Sequence, residues 1–191
     1  MELFNTALLV ALMTAIRPTE GEDDCPRIIS RSGWGARPSK HVEYMKIPVE
    51  YAIIHHTVTP KCNSMAECVE KVSSIHSFHV NTNGWDDIGF SFLVGGDGNV
   101  YEGRGWHQVG AHTYGFNKKS VGIALIGEFS DSLPPRVQLD ALKRLLKCGV
   151  KEGELAEHYK LLGGRQISAT KSPGLALYQE IQTWPDWVEN P

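Results

Sequence analysis

Two near-continuous apolar runs stand out along the chain. Val49 to Thr57 (VEYAIIHHT) holds four consecutive apolar residues, Tyr51 to Ile54, before two histidines and a threonine, and Pro60 stops it. Such a run predicts a central strand covered on both faces. Val121 to Phe129 (VGIALIGEF) reads the same way. Shorter runs at Ile88–Gly95 and Asn99–Gly103 predict a hairpin around Gly96-Asp97-Gly98. Helical spacing takes over elsewhere. Met65, Val69, Val72, Ile75, His76 and His79 fall on one stripe from Ser64 to His79. Ser64 with Glu67 three residues on is a capping-box pattern. Pro134-Pro135 opens a second helix to about Val150, with Val137, Leu139, Leu142, Leu145, Leu146 and Cys148 inward; a third spans Leu175 to Thr183. Arg27–Ser32 and Tyr159–Leu162 read as short strands, Glu154–Tyr159 as a solvated helix end, and Trp34, Trp184 and Trp187 as core. Strands interleaved with three helices predict a single α/β domain with a mixed sheet. Loops after the 49–57 strand, around 79–85, 104–117 and 164–172 are expected to meet on one side.

Composition agrees with one globular domain: 191 residues, 41% hydrophobic and 21% charged. A formal net charge of −3 argues against non-specific nucleic-acid binding, which needs a basic face. No apolar run reaches the length of a membrane span.

Leu8 to Ile16 (LLVALMTAI) is an apolar run of signal-peptide length before an acidic stretch. Residues 1–21 are therefore expected to be a signal peptide and 22–191 the mature, secreted, extracellular domain. The four cysteines, Cys25, Cys62, Cys68 and Cys148, form no C-x-x-C pair and allow three pairings. Cys62 and Cys68 make a natural local loop, which leaves Cys25 with Cys148.

The stretch His79 to Asn117 (HVNTNGWDDIGFSFLVGGDGNVYEGRGWHQVGAHTYGFN) holds most of the candidate chemistry. Its glycines let backbone approach closely. Aromatic, Arg and His groups in one stretch suggest a wet groove for a polar, partly anionic ligand. Other chemistries fare worse. No H-x-x-x-H falls on one helix face, so a zinc hydrolase has little support from spacing. His55 and His56 alternate along a strand, so only one is expected to face a given site. A serine nucleophile lacks its G-x-S-x-G elbow. GGDGNVYEGRG lacks the Gly-Lys-Ser/Thr ending of a phosphate loop.

IIHHT, DIGFSFLVGGDGNVYEGRGW, VGAHTYGFN, VGIALIGEF, LLGGRQISATKSPG and LYQEIQTWPDW together resemble the peptidoglycan recognition proteins of animals, above all the short, secreted insect members. The likeness covers roughly residues 27–187. It implies a fold similar to zinc N-acetylmuramoyl-L-alanine amidases: a central mixed β-sheet flanked by three helices, with a long ligand cleft. It also implies the bonds Cys62–Cys68 and Cys25–Cys148. In catalytic relatives a first His, a second His and a Cys hold zinc, and a Tyr assists. The matching positions here are His55, Gly164, Ser172 and Phe90. One ligand of three remains, so the resemblance implies no metal, no cofactor and no amidase activity.

The groove residues match better. His55, His56, Thr57, His79, Gly84, Trp85, Phe90, Arg104, His112, Tyr114 and Asn117 are the expected ligand-binding set, with Trp106 as a further stacking candidate. Gly84-Trp85 and Arg104 accompany preference for diaminopimelate-type peptidoglycan in relatives. A guanidinium is suited to the carboxylate that distinguishes diaminopimelate from lysine; the competing expectation is an ion pair of Arg104 with Glu102 or Asp97. The resemblance therefore implies an innate-immune pattern-recognition receptor for bacterial peptidoglycan and its muropeptides. It would act upstream of Toll or prophenoloxidase serine-protease cascades, or with other recognition proteins. The alternative is a hydrolase, either a residual amidase or a Ser172-dependent peptidase.

Overall fold

The structure, a computed structural model, describes residues 25–191; the expected signal peptide lies outside the described residues. Among the described residues the strands and α-helices follow in the order β1 (Ile28–Ile29), β2 (Val49–His56), α1 (Met65–Ser77), β3 (Phe92–Val94), β4 (Val100–Glu102), β5 (Ser120–Leu125), α2 (Arg136–Lys151), β6 (Leu155–Gly163) and α3 (Leu175–Ile181). The strands form one six-stranded sheet in the order β1-β4-β3-β5-β2-β6. Only β3–β4, the expected hairpin, is antiparallel. The two apolar runs thus lie side by side inside the sheet, in register from Tyr51 opposite Ser120 to His56 opposite Leu125.

Alternation along these strands decides what each face meets. Ala52, Ile54, Val121 and Ile123 pack with Leu142 and Leu145 of α2 and Leu177 and Ile181 of α3. On the opposite face Leu93, Tyr101 and Ala124 pack under Cys68, Val72 and Ile75 of α1. Tyr51 and Ile53 of β2 lie under Phe116 and Ile167. Helices therefore cover one face, while α1 covers only part of the other. The end of β2, at His55 and His56, floors a cleft.

Local signals explain the ends of α1. The Glu67 amide donates to Ser64 Oγ at 3.4 Å, while Glu67 Oε2 accepts the Asn63 amide at 2.7 Å, one residue before the usual capping-box partner. The helix runs into a π-turn, Phe78–Thr82. Both expected disulfides are present, Cys25–Cys148 and Cys62–Cys68. The first closes 123 residues and fixes the start of the described chain to α2.

Several expectations are corrected. Glu154–Tyr159 is no helix end: Leu155–Gly163 is one long edge strand. Its outer half shows water Ala156, Glu157 and His158, as edge strands do, and so carries no apolar run to read. Val137 is half exposed, not inward. Trp34 and Trp184 are buried as expected, and Trp187 is half-buried against the core. Trp106 is not a stacking platform. Its ring lies 4.6 Å from that of Phe92 and packs against the α2-side core, where Gly149 leaves room for it. Among the described residues no helix is long and apolar enough to cross a membrane.

Candidate functional site

The end of β2 supplies the centre of the cleft. His55 is buried, its Nδ1 3.3 Å from Ser172 Oγ and its Nε2 3.2 Å from Thr113 Oγ1. Thr113 Oγ1 also lies 3.1 Å from Nδ1 of His112. Burial is the first cause that holds the His55 pKa down to about 3, with His112 and His56 adding to it. Burial likewise holds His112 down to about 4. Both rings are therefore neutral at physiological pH, and each hydroxyl can donate a hydrogen bond to a ring nitrogen along the chain Ser172–His55–Thr113–His112.

His112 lies flat on the sheet because β5 has a glycine beneath it. A Cβ at Gly122 would sit 2.2 Å from His112 Cγ. Gly122→Ala should therefore expel the ring and lower unfolding stability by about 1–3 kcal/mol, measured by chemical denaturation. A stability equal to that of the parent protein would show that the ring is not held there.

The second wall comes from the π-turn after α1. Gly84, at φ 71°, makes the left-handed turn that sends the chain back on itself, and the Trp85 amide donates to His79 O at 3.0 Å. Trp85 thereby stacks on His79 with ring centroids 4.6 Å apart. His79 Nδ1 accepts the Gly89 amide at 3.0 Å. Burial, then His76 and Arg104, brings its pKa down to about 4. Phe90 fills the middle, 5.6 Å from His55 and 5.7 Å from His79 between centroids.

Residues from four expected loops meet here. A hollow of about 290 Å³ is lined by His55, His56, Val58, Trp85, His112 and Ser172, among others. A neighbouring hollow of about 340 Å³ lies over Gly84, Trp85 and Arg104, with Glu43 and Asp86 at its rim. A third, about 380 Å³, runs past His56, Thr57 and Phe78. These three share residues and form one cleft.

Arg104 is only 7% exposed. Its Nε donates to Ile88 O at 2.8 Å. It pairs with neither Glu102 nor Asp97: Glu102 accepts the Arg31 amide, and Asp97 binds Asn99 and Tyr101. Behind it lies buried Asp87, held by Arg31 at 2.8 Å and His76 at 3.1 Å.

Three expected site residues sit differently. Both histidines of the pair line one hollow, although strand alternation separates them. They are the last two residues of β2, where the chain turns out of the sheet, so His56 reaches the cleft over the strand end. Its Nδ1 accepts the Phe129 amide at 3.2 Å and its own amide donates to Ser172 Oγ at 3.1 Å. Asn117 turns inward: Oδ1 accepts the His112 and Thr113 amides at 3.0 and 2.8 Å, shaping the loop that carries them. Tyr114 is 94% exposed at the tip of that loop, outside the three hollows. The sequence reading missed Thr113, Val58, Thr170 and Lys171 as cleft residues. Only Thr113 gave a signal, through its place between His112 and Tyr114.

A mixed sheet with helices on both faces and a histidine-lined cleft at the end of β2 defines the amidase-like class. The profile described as N-acetylmuramoyl-L-alanine amidase matches residues 45–175. Peptidoglycan-recognition protein 2 of Holotrichia diomphalia is 46% identical over 185 residues, 97% of this chain and 99% of the relative. The X-ray structure of bumblebee PGRP-SA superposes with a TM-score of 0.86 at 50% identity, covering 87% of this chain and all of the other. PGRP-LE, solved in complex with tracheal cytotoxin, a monomeric diaminopimelic acid-type peptidoglycan, gives 0.84 at 44%, covering 85% and 96%. The chain belongs to the peptidoglycan recognition protein family.

Proposed function

We propose that this protein is a secreted receptor that binds bacterial peptidoglycan, prefers the diaminopimelate type, and does not hydrolyse it. The observation that carries the preference is Arg104. It is a buried guanidinium with one nitrogen fixed by Ile88 and, among the described residues, no carboxylate paired to it, beside a hollow floored by Gly84 and Trp85. Burial disfavours its charged form, which nearby Asp87 and Asp86 offset. A ligand carboxylate would relieve the same cost with a two-pronged contact. That a family member has been solved with a diaminopimelic acid-type fragment supports the reading. Downstream, a serine-protease cascade of the Toll or prophenoloxidase kind is the role proposed for the bound receptor.

Zinc, the metal of amidases with this fold, does not suit these residues. Position 164 is a glycine where a Cβ would lie 2.7 Å from His55 Cε1, and Ser172 offers a neutral hydroxyl already bonded to His55 and the His56 amide. Among the described residues no group of three His, Cys, Asp or Glu is placed to hold a metal. A single imidazole with a hydroxyl lacks the donor set of a catalytic zinc site. A second reading, Ser172-dependent peptide hydrolysis, is favoured by the 3.3 Å approach of Ser172 Oγ to neutral His55.

Calorimetric titration with purified diaminopimelate-type and lysine-type muropeptides, run beside a fragment-release assay and elemental analysis, tests the proposal. Binding without release is expected. Stoichiometric zinc with release of stem peptide would overturn it, and release abolished by Ser172→Ala would establish the second reading instead.

A further inference from the structure

Val58 is the one non-glycine residue at positive φ among the described residues, at 55°. For a β-branched side chain the left-handed region is a real outlier, because Cβ crowds the following carbonyl. The backbone around it is tied down on both sides. The Thr57 amide donates to Leu125 O at 3.1 Å, the Val58 amide to Gly127 O at 2.9 Å, and the Gly127 amide to Thr57 Oγ1 at 3.0 Å. These bonds extend the β2–β5 pairing past the sheet and dictate the turn. They use main-chain atoms at position 58, so glycine or asparagine would make the same bond with less strain.

Packing does not explain the valine either. The residue is 65% exposed and belongs to none of the three apolar clusters. It lies instead on the rim of the central hollow, with His55, His56 and Ser172. A fold that needs glycine there has put a strained, exposed isopropyl group beside its most polar residues.

We propose that Val58 is a ligand-binding residue of the cleft, whose isopropyl group packs against an alkyl group of the bound muropeptide, a lactyl or alanyl methyl at the junction of sugar and stem. The proposal rests on the peptidoglycan reading and adds a contact common to both peptidoglycan types. Backbone strain in the free protein is offset when ligand covers the exposed methyls.

Val58→Gly and Val58→Asn test it, with Val58→Ile as the conservative control. Relief of left-handed strain should raise the melting temperature of both variants by ~2–6 °C. Loss of the buried methyls should weaken binding of diaminopimelate-type and lysine-type muropeptides alike by ~5- to 20-fold. Val58→Ile should bind like the parent protein. Unchanged affinity in both variants, with the parent protein binding normally, overturns this inference and leaves the peptidoglycan reading intact. A lower melting temperature in both also overturns it, since valine would then serve the fold. Failure of the parent protein to bind either muropeptide overturns both.

Discussion

Arg104→Ala should weaken binding of diaminopimelate-type muropeptides by ~10- to 100-fold and shift lysine-type binding by less than about threefold. The range corresponds to ~1.5–3 kcal/mol for a hydrogen bond to a charged group. Arg104 is already placed for that bond. Its Nε is held by Ile88 O, its exposure is 7%, and among the described residues no carboxylate within ion-pair distance competes for its terminal nitrogens. Little side-chain freedom remains to be lost on binding. Behind it Asp87 is occupied by Arg31, His76 and the Ile88 amide. Arg104→Lys should recover only part of the loss, because an ammonium lacks the planar fork that grips two oxygens. Titration of each variant with both muropeptides measures the difference. Equal losses on the two types would discard diaminopimelate preference and leave Arg104 as a general contact.

Acid should unfold this protein through its buried histidines. His55 sits at about 3 and His112 at about 4, against an ordinary 6.5, burial being the first cause for both. A histidine held neutral in the folded state binds fewer protons than the unfolded chain once the pH drops below 6.5. Stability is therefore whole above pH 6.5 and declines as pH falls toward the folded values. Each histidine contributes up to ~1.4 kcal/mol per pH unit across that window, so the pair should cost roughly 3–5 kcal/mol between pH 6.5 and 4.5. Urea denaturation at those two pH values measures it. The slope should shrink in His112→Gln, which cannot take up a proton. An identical slope in that variant would show that other groups govern acid unfolding. Ligand binding should survive down to about pH 5, because His55, His79 and His112 remain neutral there.

How far local pattern reaches is visible element by element. The strands β2 and β5, helices α1 and α2 and the β3–β4 hairpin announce themselves through runs and stripes dense enough to fix type and place. The edge strand β6 does so only in its inner half, Tyr159–Leu162, because the side chains of its outer half largely face water. Within the cleft, residue types drew attention to His55, His79, Trp85, Phe90 and Arg104, and each lines it. Type alone could not tell an inward Asn117 from a ligand contact, nor a core Trp106 from a stacking platform. Those outcomes depend on which neighbour the fold brings alongside, Phe92 for Trp106 and the amides of His112 and Thr113 for Asn117.

Sequence alone determined the order of elements, the family and the unusual set His55, Gly164 and Ser172, since each is written in neighbouring residues. The tertiary structure alone decided what those residues touch. His55 meets Thr113 and Ser172 across 58 and 117 positions, Gly122 gives His112 its seat, and the β2–β5 pairing bends Val58 into a left-handed turn. Contacts between residues so far apart are set by how the strands pair and the helices cover them, and local periodicity carries no record of that pairing.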